Sequence, residues 1–100
     1  MGIKVRNSQA VQLAGDCIVS TVNSHHQELV EALRNAKAIT VDLSQIGNID
    51  ISFIQLMVSA SRTAARQSKS LNLLGAAGPI EAAFRGAGID IDPISGQLSF

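Results

Sequence analysis

The chain predicts a small α/β domain: a mixed β-sheet of about four to five strands, its central pair parallel, flanked by α-helices. Three observations carry this. Ala38-Ile39-Thr40-Val41-Asp42-Leu43 is a short β-branched apolar run of the kind that forms a buried central strand. A long helical pattern follows it, then Leu71, Leu73 and Leu74. Two strands joined by a full helix run parallel. Finally, 100 residues that are 46% hydrophobic and 16% charged are enough for one core, so residues 1–100 form a single domain.

The elements follow in order. Ile3, Val5, Val11 and Leu13 alternate with polar residues, which is strand periodicity with one buried face. Asn7-Ser8-Gln9 between them is turn material, so the pair reads as a hairpin closed off by Gly15-Asp16. Leu29, Val30, Leu33 and Ala36 have helical spacing, and Ser24 three residues before Gln27 is a capping-box signature. The first helix therefore spans about Ser24 to Lys37, with an earlier start at Ser20 or Thr21 as the alternative. After the central strand, residues 44–50 read as a loop. The second helix covers about Ile51 to Ser68, with Ile54, Met57, Val58, Ser61 and Ala65 inward and Phe53, Ala60 and Ala64 flanking.

Gly78-Pro79 opens the last helix, where the missing proline N–H costs nothing. Ile80, Ala83, Phe84 and Ala87 form its stripe, and Gly88 fits a left-handed stop that brings Ile89 to Phe84. The tail beyond Ile89, with Pro93 and Gly96, reads as an extra edge strand or a packed arm.

Composition excludes several functions. Eight Lys and Arg balance eight Asp and Glu, so no net field draws nucleic acid or an anionic membrane. The chain has no Trp or Tyr and three Phe, which leaves little for base stacking. No apolar run approaches a membrane span, and Met1–Arg6 lacks the apolar stretch of a secretory signal. The lone cysteine, Cys17, excludes an internal disulfide and suits a reducing cytoplasm. Near-zero charge leaves a protein partner as the expected ligand, with oligomeric state open.

Most polar residues have plain readings. His25 and His26 diverge by about 100° on a helix and form no metal pair, so they read as a half-exposed first turn. Cys17 reads as a small buried hydrophobe. Arg62, Arg66 and Lys69 share one side of the second helix, which marks its wet face or a docking stripe. Asp42 and Asp50 lie near the C-terminal edge of the central strand, where open α/β sheets place ligands. Asp42 reads best as a residue bonding loop amides. Ser52 is the most informative position. Ser52-Phe53-Ile54-Gln55 is itself a capping box, so the plain role of Ser52 is to cap the second helix, for about 1 kcal/mol. The same place suits a phosphate, which would meet free amides and the positive helix end.

Several segments in fixed order resemble the STAS domain, found in bacterial anti-sigma factor antagonists. They are Ile39-Thr40-Val41-Asp42-Leu43-Ser44, Asn48-Ile49-Asp50-Ile51-Ser52, a long helix, a leucine-rich strand and the Leu71-to-Gly88 stretch. The resemblance covers nearly the whole chain. It implies a sheet flanked by helices, no enzymatic activity and no cofactor. It also implies a protein partner: an anti-sigma factor, a serine kinase or a chemotaxis histidine kinase. Other single STAS domains are accessory subunits of lipid transport complexes. By the same resemblance Ser52 is the phosphoacceptor, with Asp50, Ile51 and Asp42 as supporting or contact residues. Phe53 stands where the family has glycine, and it is expected as a partly exposed aromatic contact.

Overall fold

The structure, a computed structural model, describes residues 6–76 and 78–99. Its elements are β1 (Arg6–Cys17), α1 (Val22–Asn35), β2 (Ala36–Ile49), α2 (Ile51–Arg66), β3 (Ser70–Leu74), α3 (Pro79–Gly86), β4 (Asp90–Ile91) and β5 (Leu98–Ser99). β1, β2 and β3 form a parallel sheet in that order. Along each strand one residue in two faces the core: Val11 and Leu13, then Ile39, Val41 and Leu43, then Leu71 and Leu73, all buried. Both α1 and α2 pack on the sheet and on each other, so they cover this one face. The interior is closed by Leu29 and Leu33 of α1, Phe53 and Met57 of α2, and Phe84 of α3.

The expected hairpin is corrected. Asn7, Ser8 and Gln9 do not turn; they continue β1, with Ser8 opposite Ala38 and Gln9 opposite Ile39. Ladder hydrogen bonds along an edge strand recruit polar residues whose local preference is for turns. The first arm of that hairpin, Ile3 and Val5, lies outside the described residues. β2 is also longer than expected, because residues 44–49 stay paired to β1 instead of looping. Register shifts between Gln12 and Ala14 and between Gly15 and Cys17 absorb the irregular sequence there. The antiparallel part of the fold is instead β4–β5, a separate two-stranded ribbon. It lies against β3 through Leu73 N–H, which donates to the Gly96 carbonyl at 2.8 Å. The tail is thus a packed arm on the sheet's edge.

Helix boundaries reflect which side chains do the capping. α1 starts at Val22, two residues before Ser24, and Thr21 precedes it without a side-chain cap. The Thr21 hydroxyl instead donates to the Asp16 carbonyl at 2.8 Å. The inward line of α2 is Phe53, Ile54, Leu56, Met57, Ala60 and Ala64. Val58 and Ser61 are only half-buried and Ala65 is exposed, so the stripe is rotated towards the residues expected to flank it. α3 ends as its sequence predicts. Gly88 takes φ +78°, Gly88 N–H donates to the Arg85 carbonyl at 3.0 Å, and Ile89 N–H donates to the Phe84 carbonyl at 2.9 Å. This is the double hydrogen bond of a left-handed helix stop, with Ile89 and Phe84 both in the core.

Candidate docking site

The candidate site is the corner where β2 passes into α2. Asp50 is extended there (φ −137°, ψ −168°), and its Oδ1 accepts from Ser52 N–H at 2.8 Å. A carboxylate on the first amides of a helix meets unsatisfied donors and the positive end of the dipole. The cap of α2 is therefore Asp50, and the expectation that Ser52 caps the helix is corrected. Ser52 lies within the first turn and is half-buried. Ile51 beside it is 63% exposed.

Phe53 is placed differently from its expectation. It is fully buried, with its ring centroid 5.6 Å from that of Phe84 at an interplanar angle of 61°. An edge-to-face aromatic pair fills the space between α2 and α3. The residue turns inward because α2 is rotated relative to the expected stripe, so Phe53 has no surface to offer a partner.

Asp42 also stands apart from the corner. Its Oδ1 accepts from Ser44 N–H at 2.9 Å, a local role within β2. The Ser44 amide and hydroxyl, and secondarily Gln12, hold its carboxyl below the usual range against a smaller opposing effect of burial. Among the described hydrogen bonds, none joins Asp42 to the Asp50 corner.

Asp50 reaches a second segment. Its Oδ2 accepts from Val19 N–H at 3.0 Å, across 31 residues of sequence. The Val19 amide is the main influence holding the Asp50 carboxyl below its ordinary range. The Ser52 amide and hydroxyl and the Phe53 amide help, while desolvation opposes them. Val19 is 74% exposed, so the corner carries two uncovered aliphatic side chains from two segments. A second carboxylate ties the same segments: Asp16 Oδ1 accepts from Asn48 N–H at 2.8 Å.

Beneath this loop His25 is buried, contrary to the half-exposed reading. Its Nε2 lies 2.9 Å from the Asp16 carbonyl, and a carbonyl only accepts, so Nε2 carries the proton. His26 stays exposed.

The corner is flanked by two shallow depressions. One, of about 310 Å³, runs from Ile49 and Ile51 past Ile54 to Ala83 and Gly86 of α3. The other, of about 320 Å³, lies between Ser52, Gln55 and Ser59 of α2 and Val22 and His26 of α1. Ile51 and Ser52 thus line different hollows on either side of the start of α2. Sequence reasoning missed Val19 and misplaced His25. Val19 has no local signal, and the only sign of His25's burial was its place four residues before Leu29 on the apolar stripe.

Among the described residues, no group of three or more His, Cys, Asp and Glu side chains could hold a metal, and no helix is long and apolar enough to cross a membrane. Residues 4–96 match the family profile described as "Mlab, STAS domain". The chain belongs to the STAS domain family. This STAS domain is also similar in structure to the anti-sigma factor antagonist SpoIIAA in its unphosphorylated form. The TM-score is 0.70 at 16% sequence identity, and the match covers 84% of this chain and 75% of that one. At that identity the likeness establishes the fold. No curated protein sequence matches the chain significantly. The expected α/β fold class and the expected family are therefore both found.

Proposed function

We propose that this STAS domain is a protein-interaction module of bacterial signal transduction, docking a partner kinase or regulator in the cytoplasm through the Asp50–Ser52 corner, with Ser52 as its phosphoacceptor. One observation carries the reading: Asp50, not Ser52, supplies the cap of α2, and Ser52 sits half-buried in the first turn beside exposed Ile51. The STAS family and the SpoIIAA-like fold support the same reading. Asp42 and Asp50 are both engaged by backbone amides, which favours a binding protein over an enzyme built on paired carboxylates.

In the modification step, Ser52 Oγ attacks the terminal phosphorus of a nucleoside triphosphate held by the partner kinase. The new P–O bond forms, the bond to the diphosphate breaks, and the hydroxyl proton leaves to solvent. The product adds up to two negative charges beside Ile51.

The test is intact-mass and peptide analysis of the protein incubated with ATP and an extract of its native cells. One added phosphate on Ser52, absent in Ser52→Ala, is the expected result. No addition, or addition at another residue, overturns it. Docking is tested in parallel by Ile51→Asp, which places a desolvated charge in the contact and weakens partner capture at least about tenfold. Ile94→Asp, at an exposed site in the tail, leaves capture unchanged.

A second reading is favoured by the Asp50 carboxylate itself, which already occupies the amides a phosphate would seek. It makes the domain a constitutive adaptor of a chemotaxis histidine kinase assembly or a lipid transport complex. Under it, Ser52→Asp leaves partner affinity unchanged while Ile51→Asp still weakens it.

A further inference from the structure

We propose that Asp50 is a latch joining two halves of the docking surface, and that a negative charge on Ser52 opens it, releasing the Val19 loop from the start of α2. This rests on the reading of Ser52 as the regulated residue, and it adds where the effect of modification goes. One carboxylate holds two segments: Oδ1 takes Ser52 N–H at 2.8 Å and Oδ2 takes Val19 N–H at 3.0 Å. Within residues 16–22, the loop is held by its own short-range bonds. Ile18 N–H donates to the Thr21 hydroxyl at 3.1 Å, and Val22 N–H donates to the Ile18 carbonyl at 2.8 Å. These shape the loop without fixing it to α2. Of the two carboxylates that tie it to the β2–α2 corner, Asp16 engages Asn48 and Asp50 alone also engages Ser52.

An anion on the Ser52 side chain changes this balance in two ways. It competes for the same free amides at the start of α2, where the helix field favours negative charge. It also stands two residues from Asp50, and like charges so placed repel. Both effects drive the Asp50 carboxylate away from its present partners. The Val19 amide then loses its acceptor to water, and Val19, 74% exposed at the tip, no longer keeps its place relative to Ile51. A partner that reads the two aliphatic side chains together meets an altered geometry as well as an altered charge. The modification thus reaches a segment that Ser52 itself does not touch through any described hydrogen bond.

The experiment is amide hydrogen exchange by NMR on the intact domain, comparing wild type with Ser52→Asp, Ser52→Glu, Ser52→Asn and Asp50→Ala. Losing a charge-assisted hydrogen bond raises Val19 exchange about tenfold or more in Asp50→Ala. The latch predicts a comparable rise in Ser52→Asp and Ser52→Glu, and none in the neutral Ser52→Asn. Val41 and Leu43 amides, in the centre of the sheet, report that each variant is folded. A Val19 amide indifferent to both anionic variants overturns the latch, as does an equal rise in Ser52→Asn. Failure of the functional reading looks different. Absence of phosphate from Ser52 in the native-extract experiment removes the phosphoacceptor role, while the response of Val19 to an anionic side chain is measured independently of any kinase.

Discussion

At position 53 a side chain that reads as a variant surface contact is a structural one. Phe53 packs edge-on against Phe84 with no exposed area. Phe53→Ala therefore leaves a cavity between α2 and α3 and destabilises the domain by about 3–5 kcal/mol, read as a lower urea midpoint. Phe53→Leu costs less and keeps partner capture, which separates packing from recognition. Cys17 behaves in the opposite sense, matching its plain sequence reading. Burial, with a smaller contribution from the Asp50 charge, pushes its thiol up to about 11 from 9.0. The thiol is therefore unreactive in the folded state, and its alkylation rate at neutral pH tracks unfolding. Because the unfolded thiol ionises first as pH rises, this contribution to stability is full below about pH 9 and is lost by about pH 11. Cys17→Ser flattens that alkaline decline. The identity of the corner residues was legible because Asp50, Ile51 and Ser52 adjoin a clear helix start. Which of them caps, which is buried and that Val19 joins them depend on contacts across the fold, and a linear reading carries no record of those.

At the scale of elements, legibility followed agreement between local preference and tertiary demand. α3 was readable at both ends because Pro79 and Gly88 each have one favourable place in a helix. β1 and the second half of β2 were not. Their residues, Asn7 to Gln9 and Ser44 to Asn48, prefer turns in isolation, and they are strand only because each lies beside a parallel neighbour. The tail shows a third case, in which one backbone position decides the placement. Gly96 has φ +75°, and a Cβ there would collide with the Leu73 carbonyl oxygen. Both the positive φ and the close approach to β3 exclude a side chain. Gly96→Ala is expected to push the β4–β5 ribbon off the sheet edge and destabilise the domain by about 1 kcal/mol or more. Hydrogen exchange checks it: the Leu73 amide, which donates to Gly96 at 2.8 Å, loses protection, and the Val41 amide in the central strand keeps it.

For the whole molecule, the balance of eight basic and eight acidic side chains conceals an uneven distribution of work among the acids. Asp42 within β2, Asp50 at the start of α2 and Asp92 in the turn between β4 and β5 each accept backbone amides, and all three carboxyls lie below their ordinary range. For Asp92 the Ser95 and Ile94 amides are the leading causes. A carboxyl depressed in the folded state stays ionised there while the same group in the unfolded chain takes up its proton. The stabilisation is therefore complete above the unfolded value, near 3.8, and is lost as pH falls through the folded values. Below that range the molecule is also strongly cationic, since the eight Lys and Arg keep their charge. The urea midpoint should hold steady from neutral pH down to about pH 5 and fall steeply below about pH 4. Replacing all three with asparagine lowers the midpoint at pH 7 and removes much of the difference between pH 7 and pH 3. Equal acid sensitivity in the triple variant would assign the acid limb to other carboxylates. Asp50→Asn alone also links this to function, because an acid-weakened Val19 tie should raise Val19 amide exchange, relative to Val41, in the wild type but not in that variant.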